Sequence, residues 1–141
     1  MGSEMCIRDR SRTLTPVGLI NASTEVLAGN TFGNQEIRSL VARKAAGLIR
    51  DQKSQFSEED KTALSDYVES EMLKQIEEKP GDAKIHSVLG TFYRQIRQFD
   101  KSREQFALAR EISPTKPAII INQGFTEYLS LIHISEPTRP Y

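Results

Sequence analysis

Acidic side chains are the densest group in this sequence that could do chemistry. Paired carboxylates can bind a divalent metal or act as a general acid and base. Six of them follow Ser57, which is the predicted N-cap of a helix: Glu58, Glu59, Asp60, Asp66, Glu69 and Glu71. Most fall at the predicted start of a helix or on its outer face, where solvated acids are ordinary. We therefore predict neither a metal site nor an acid–base pair here.

The histidine and cysteine content argues against other common sites. The chain has two histidines and one cysteine. A lone Cys6 forms neither an internal disulfide nor a metal cluster. His86 has no histidine, cysteine or acid at a usable spacing, so we expect it to be a packed core residue. The sequence thus predicts no catalytic residues, no cofactor-binding residues and no metal ligands.

The segment from Asn30 to Arg38 has two alternative interpretations, a helix start and a phosphate-binding loop. Gly33 predicts a turn and Asn34 predicts the N-cap of a helix. A phosphate loop needs a glycine-rich spacing followed by Gly-Lys-Ser or Gly-Lys-Thr, and the segment has neither. We interpret it as a helix start.

The charge balance argues against a large nucleic-acid-binding surface, which would need a basic excess. Lys plus Arg and Asp plus Glu both number 19, so the formal net charge is zero. The predicted helix from Gln35 to about Gln52 has one apolar face, made of Ile37, Leu40, Val41, Ala45, Leu48 and Ile49. Its other side is basic, made of Arg38, Arg43, Lys44, Arg50 and Lys53. We interpret that side as a solvated face rather than an anion-binding site.

Length and hydropathy limit the classes of protein to which this chain can belong. At 141 residues the chain allows one modest domain, and its 38% hydrophobic content suits a helical soluble protein. No apolar run approaches the ~20 residues of a membrane span. No apolar stretch of the signal-peptide type follows the first residues. We predict no membrane span within this chain.

The stretch from Ala83 to Lys116 predicts two helices joined by a tight turn. Asp82 is the predicted N-cap of the first helix, and Pro114 ends the second. Apolar residues recur at helical spacing in both halves: Ile85, Val88, Leu89, Phe92, Tyr93 and Ile96, then Phe99, Phe106, Ala109 and Ile112. Such a pair cannot bury its apolar faces alone, so we expect a neighbour on each side.

These residues resemble the tetratricopeptide repeat (TPR), a helical hairpin of 34 residues. With Ala83 as its first position, the repeat signature is formed by Leu89, Gly90, Tyr93, Phe99, Phe106, Ala109 and Pro114. His86 stands where tryptophan is common, and Ser102 where alanine is usual. The resemblance implies an all-α fold in which antiparallel helical hairpins stack as a short TPR-like α-solenoid.

The sequence also predicts the structure of the segments on either side of the repeat at 83–116. We predict an N-terminal segment with a short, weak helix at 11–34, and a degenerate hairpin with longer helices at 35–82. Pro80 lies 34 residues before Pro114, so the closing prolines of two repeats share a register. Residues 117–129 are predicted to be the first helix of a truncated next repeat.

That last helix is predicted to lack its partner. Its unpaired face, with Ile121, Phe125 and Leu129, would then be exposed, and we expect it to promote self-association.

Both ends of the chain look unlike native protein sequence, and residues 1–10 have no helical periodicity. Residues 1–10, MGSEMCIRDR, and residues 130–141, SLIHISEPTRPY, resemble the translated read-through of sequencing adapters in assembled environmental DNA. We interpret both as non-native segments. We expect about 11–129 to be a metagenomic fragment of a bacterial protein whose two true ends are missing.

A narrower resemblance covers about 15–129. The order is a Pro-x-Gly-Leu start, the segment Asn30–Arg38, a long-helix hairpin, and a repeat that closes on Ser113 and Pro114. It is similar to the C-terminal TPR tail of bacterial O-antigen ligase- or polymerase-type membrane proteins. The resemblance implies a non-catalytic tail on the extracytoplasmic side of a membrane glycan enzyme. The alternative is a fragment of a free-standing, cytoplasmic TPR scaffold or adaptor.

In either case the TPR resemblance implies a protein or peptide partner. Each first helix of a hairpin lines the inner wall of the array. In the repeat at 83–116 the resemblance places on this wall Lys84, Ser87, Thr91, Arg94 and Gln95. These residues are polar and slightly basic, and would suit a peptide or an acidic segment. The alternative is that they form only a solvated face.

Overall fold

The computed structural model describes residues 15–29, 33–50 and 56–135. All regular elements in these ranges are α-helices, namely α1 (Pro16–Ala28), α2 (Asn34–Arg50), α3 (Glu58–Glu78), α4 (Ala83–Gln95), α5 (Phe99–Ile112) and α6 (Pro117–Ser135). The predicted all-α fold class is confirmed. The chain divides into two compact units, Met1–Glu71 and Met72–Tyr141, and the division falls inside α3.

Short polar side chains fix the starts of two helices where the sequence predicted them. The backbone N–H of Asp60 donates to Ser57 Oγ at 3.1 Å, and that of Lys84 donates to Asp82 Oδ1 at 2.9 Å. Each bond satisfies one of the backbone donors that a helix leaves unpaired in its first turn. The predicted N-caps Ser57 and Asp82 are therefore confirmed.

The start of α2 differs from its prediction by one residue. Asn34 is the first residue of the helix, and the N–H of Ile37 donates to the carbonyl of Gly33 at 2.9 Å. Gly33 has φ +96°, a left-handed conformation that residues with a Cβ adopt at a cost. The turn predicted at Gly33 is correct, and the assignment of Asn34 as N-cap is wrong.

In the first unit, the buried side of α2 carries three alanines beside Val41 and Arg38. Ala42, Ala45 and Ala46 are at most 2% exposed, whereas Leu40, which was predicted to face inward, is 48% exposed. Alanine has a small side chain, which allows a neighbouring helix backbone to approach closely. Leu19 of α1 and Leu64 and Val68 of α3 are also buried in this unit.

A buried ion pair joins α2 and α3 within the first unit. Arg38 Nε donates to Glu71 Oε1 at 3.2 Å, and both residues are buried. The sequence pattern predicts Arg38 on a solvated basic face and groups Glu71 with acids that are mostly solvated, and both predictions are wrong because the two residues are buried. A buried charge is tolerated when a charge of opposite sign satisfies it. Periodicity within one helix could not reveal a partner on the next.

In the second unit, α4 and α5 form an antiparallel hairpin. Ser102 Oγ donates to the Gly90 carbonyl at 2.8 Å, and His86 Nδ1 lies 2.8 Å from Gln105 Oε1. Gly90 pairs with Ser102, and His86, which comes earlier on α4, pairs with Gln105, which comes later on α5. The two helices therefore run in opposite directions. A Cβ at Gly90 would lie 3.0 Å from the ring of Phe106, so the ring occupies the space that glycine leaves. This is the close crossing that the repeat signature predicts.

The turn between α4 and α5 uses a non-glycine residue in a left-handed conformation. Arg97 has φ +65°. The N–H of Gln98 donates to the Tyr93 carbonyl at 2.8 Å, and that of Arg97 donates to the Arg94 carbonyl at 3.0 Å. This pair of bonds defines a Schellman motif, in which glycine is usual at the position of Arg97.

The signature residues of the repeat are mostly buried between the helices. Ala109 packs with Ala83 and Ile119 in one cluster. Phe99 is half-buried and Pro114 is exposed at the end of α5. The fully buried members are Leu89, Gly90, Tyr93, Phe106 and Ala109. The signature therefore coincides with the core of the hairpin.

The helix after the hairpin is longer than predicted. It was expected over 117–129, but α6 continues to Ser135 and so enters the segment interpreted as non-native. It runs antiparallel to α5, since Arg103 Nε donates to Glu127 Oε1 at 2.7 Å and Arg110 donates to Gln123 at 2.9 Å. The second unit is thus a hairpin followed by the first helix of another, as in a short TPR-like α-solenoid. No helix among the described residues is both long and apolar enough to cross a membrane.

Candidate partner-binding surface

The five polar residues predicted to line the inner wall all lie on α4. Their positions are separated mainly by three and four residues, which places them along one side of the helix. Lys84 is exposed, and the others are half-buried. We call this set the α4 wall: Lys84, Ser87, Thr91, Arg94 and Gln95. The structure brings them to one surface, and their role in binding stays a prediction.

Two members of the α4 wall have hydrogen bonds within the second unit. Ser87 Oγ donates to the Ala83 carbonyl of its own helix at 3.0 Å. Arg94 Nη1 donates to Asn122 Oδ1 of α6 at 2.9 Å. Lys84, at the start of the helix, is the most accessible cation of the set.

Arg94 is held between aromatic rings rather than extended into solvent. Its guanidinium carbon lies 4.8 Å from the centre of the Phe125 ring and 5.9 Å from that of Phe106. Cations favour the faces of aromatic rings because of the electron density there. Burial lowers the pKa of Arg94, and the group stays protonated at neutral pH because a guanidinium begins far above neutrality. The sequence had not predicted this contact between α4 and α6.

The side of α6 next to Arg94 is apolar and exposed. Ile121 is 68% exposed and Tyr128 is 59% exposed, values more typical of charged side chains. We call this set the α6 apolar face: Ile121, Phe125, Tyr128 and Ile132. The prediction that Ile121 and Phe125 would be exposed is confirmed, whereas Leu129 is half-buried.

The 34-residue repeat period relates the two sets. Adding one period to Ser87, Thr91 and Arg94 gives Ile121, Phe125 and Tyr128. The two helices therefore present equivalent positions, polar on α4 and apolar on α6. The sequence pattern predicts an unpaired face that includes Ile121 and Phe125 together with Leu129. A comparison of sequence positions one 34-residue period apart could have placed Ile121, Phe125 and Tyr128 on the same wall as the polar residues of α4.

A polar seam is buried where α5 faces its neighbours. His86 and Gln105 are both buried and bonded to each other, so His86 is a core residue, as predicted. Ser102 Oγ lies 3.5 Å from Thr126 Oγ1 of α6, and both residues are fully buried. Each of these polar groups has a partner, which makes the seam a structural feature.

The acidic residues of α3 are not brought together as a site. Glu58, Glu59 and Asp66 are exposed, and Glu58 lies 3.7 Å from the ammonium of Lys61. Within the described ranges no group of three or more His, Cys, Asp or Glu side chains could hold a metal ion.

Comparison with known proteins supports the repeat architecture. No protein-family profile and no solved structure matches the chain. The chain is 31% identical over 72 residues to cell division cycle protein 27 homolog A of Arabidopsis thaliana, a TPR protein. The aligned part is 50% of this chain and 10% of that relative, so the chain spans a small fraction of the relative's length. The similarity and the helical hairpins together fit a TPR-like protein.

Proposed function

We propose that this chain is a non-catalytic protein-interaction module that binds a peptide segment of a partner protein. The observation that carries the proposal is the shared surface of α4 and α6, where polar side chains adjoin exposed apolar ones. Exposed apolar side chains clustered beside polar groups are typical of surfaces that bind other proteins. The similarity to a TPR protein supports the same role.

Selection from a random library of twelve-residue peptides tests this proposal. The immobilised chain should enrich a convergent set of peptides that an uncoated surface does not enrich. Selected peptides should bind the soluble chain in a fluorescence-anisotropy titration. A library that yields no convergent peptide in repeated selections would count against an interaction module of this type.

A finer proposal concerns the parent protein, the longer protein of which this chain is proposed to be a part. The resemblance of 15–129 to the TPR tails of O-antigen ligase- or polymerase-type proteins supports an origin in a bacterial membrane glycan enzyme. On that proposal the chemistry belongs to a membrane region of the parent, and this chain serves as its interaction tail. A free-standing TPR scaffold is the alternative, and the similarity to cell division cycle protein 27 homolog A favours neither over the other.

A long, adapter-free read of the source DNA distinguishes the two parents. The membrane-enzyme proposal expects several spans of ~20 apolar residues upstream of position 11. An upstream frame that encodes more hairpins or a soluble domain would leave the scaffold. The same read tests whether 1–10 and 130–141 are native.

A further inference from the structure

Gly124 lies near the middle of α6, and no other part of the described chain covers it. A Cβ built at Gly124 would meet no atom within 4 Å outside the local helix backbone. One built at Gly90, a repeat period earlier, would lie 3.0 Å from the Phe106 ring. Glycine inside a helix is less favourable than alanine, because it loses more conformational freedom on folding. At Gly90 the ring requires glycine, and no described residue plays that part at Gly124.

Large apolar side chains surround Gly124 on the outward side of α6. Ile120 and Tyr128 lie one turn before and one turn after it, and both are exposed. Ile121 is also exposed and lies about 60° from Gly124 around the helix. The buried Thr126 faces α5 from the opposite side, so this face points away from the hairpin. We call Ile120, Gly124 and Tyr128 the Gly124 face.

A second open glycine, Gly47 of α2, has a different setting. A Cβ there would also meet no atom within 4 Å. The exposed residues about one turn from Gly47 include Arg43, Lys44 and Arg50, whose charged groups water solvates well. The residues one turn from Gly124 are apolar instead. Covering an apolar patch is favourable, so the Gly124 face is suited to a partner surface and the Gly47 face to water.

The charge of α6 favours a second copy of the chain as that partner. The helix, PAIIINQGFTEYLSLIHIS, contains no Lys, Arg or Asp and one Glu. That residue, Glu127, is bonded to Arg103 of α5 at 2.7 Å. A charged partner would therefore find little opposite charge on this helix. Two copies of the same apolar face can meet without bringing like charges together at its centre.

We propose that two copies of the chain pair through the Gly124 face, with their α6 helices antiparallel and crossing at Gly124. In a two-fold contact each copy presents the same residues, so Tyr128 of one copy lies level with Ile120 of the other. Glycine at the crossing lets the two backbones approach closely. The antiparallel direction separates the two Glu127 residues by about 9 Å along the helices, whereas a parallel pair would place them level.

This pairing goes beyond the proposed peptide binding and does not rest on it. The Gly124 face borders the α6 apolar face and shares Tyr128 with it, but Ile120 and Gly124 belong to the pairing alone. Variants at Ile120 and Gly124 therefore test the pairing separately from the peptide surface.

Opposite charges at position 124 give the first test, because a two-fold contact there brings position 124 of one copy against position 124 of the other. Sedimentation equilibrium of the full chain should show a monomer–dimer equilibrium. Gly124→Glu and Gly124→Lys should each weaken the dimer at least about tenfold when studied alone, and their equimolar mixture should restore a 1:1 dimer. A chain that is monomeric at every concentration, or a mixture that stays monomeric, would overturn the proposal.

Matched changes at Gly47 are the control for the charge test. Gly47→Glu and Gly47→Lys place the same charges at the other open helix glycine and should leave the dimer dissociation constant within about twofold. Circular dichroism should show unchanged helix content in all four variants, since both positions are exposed. A dimer that Gly124→Glu leaves intact would place the contact elsewhere and overturn the proposal.

Ile120→Ser gives a second test that adds no charge. Ile120 is 39% exposed, and Leu108 of α5 is 37% exposed, so Leu108→Ser is a closely matched control. Ile120→Ser should weaken the dimer about tenfold, as expected for a residue inside an interface, and Leu108→Ser should change it less than about twofold. Ile120→Ser should also leave the affinity for a selected peptide within about twofold. Equal effects of the two variants on the dimer would overturn the assignment of the Gly124 face.

Discussion

Helix α5 has two neighbours in the second unit, and the two contacts are built differently. Against α4 it places the ring of Phe106 directly over Gly90, where an added Cβ would be 3.0 Å from the ring. Against α6 it places small polar residues, Ser102 facing Thr126, with Arg103 bonded to Glu127 at the edge. The α4–α5 contact centres on this close apolar packing, with the hydrogen bonds of Ser102 to Gly90 and of His86 to Gln105 beside it. The α5–α6 contact has more side-chain hydrogen bonds, although Ala109 and Ile119 also pack together there.

The difference between the two contacts indicates that one helix can contribute to stability on one side and to the alignment of its neighbour on the other. Burial of apolar surface stabilises in proportion to area but hardly specifies alignment. Hydrogen bonds between fixed positions contribute less net free energy, yet they are lost if the helices shift by a turn. We therefore expect the α4–α5 contact to supply most of the stability and the α5–α6 contact to set the alignment of the next helix.

Phe106→Ala should give the largest loss. The ring is fully buried, so its removal leaves a cavity above Gly90 and should lower the free energy of unfolding by about 3–5 kcal/mol. Urea unfolding followed by circular dichroism measures the change. Phe125→Ala is the matched control, because that ring is 46% exposed and its loss should cost under about 1 kcal/mol. Similar costs for the two substitutions would contradict the contrast between the contacts.

The α4–α5 contact was also the part that the sequence predicted best. Leu89, Gly90 and Phe106 are residues whose size and spacing suit one another within a single hairpin. Such information is local, because both helices lie within the repeat and the turn between them is short. The N-caps Ser57 and Asp82 were predictable for the same reason, since each acts within its own first turn.

The sequence predicted contacts between distant segments poorly. Arg38 was placed on a solvated face because its partner, Glu71, lies on another helix, and only the fold shows that both are buried. On the candidate surface, the spacing of the α4 wall residues was enough to place them on one side of the helix, and their role in binding stays a prediction. The stacking of Arg94 on Phe125 was missed, because it depends on how α4 packs beside α6.

Arg97→Gly tests the turn that holds the apolar contact together. Arg97 has φ +65°, which a residue with a Cβ adopts at a cost and glycine adopts freely. We expect the substitution to raise the free energy of unfolding by about 1 kcal/mol. Gln98→Gly is a control at the next position, where φ is −95°, and it should give no gain. A loss of stability in Arg97→Gly would show that the Arg97 side chain contributes more than its backbone conformation costs.

Arg103→Ala should give the smallest loss, and one that depends on salt. Arg103 donates to Asp100 on its own helix and to Glu127 and Ser130 on α6, but it is 37% exposed, so solvent screens its ion pairs. The expected loss is about 0.5–1 kcal/mol at low ionic strength and should shrink in 1 M NaCl. Arg110→Ala is the control, since Arg110 donates to the neutral amide oxygen of Gln123 and its loss should vary little with salt. If the two variants respond to salt alike, the charge on Glu127 has no part in holding α6, and the alignment must come from the buried Ser102 and Thr126 instead.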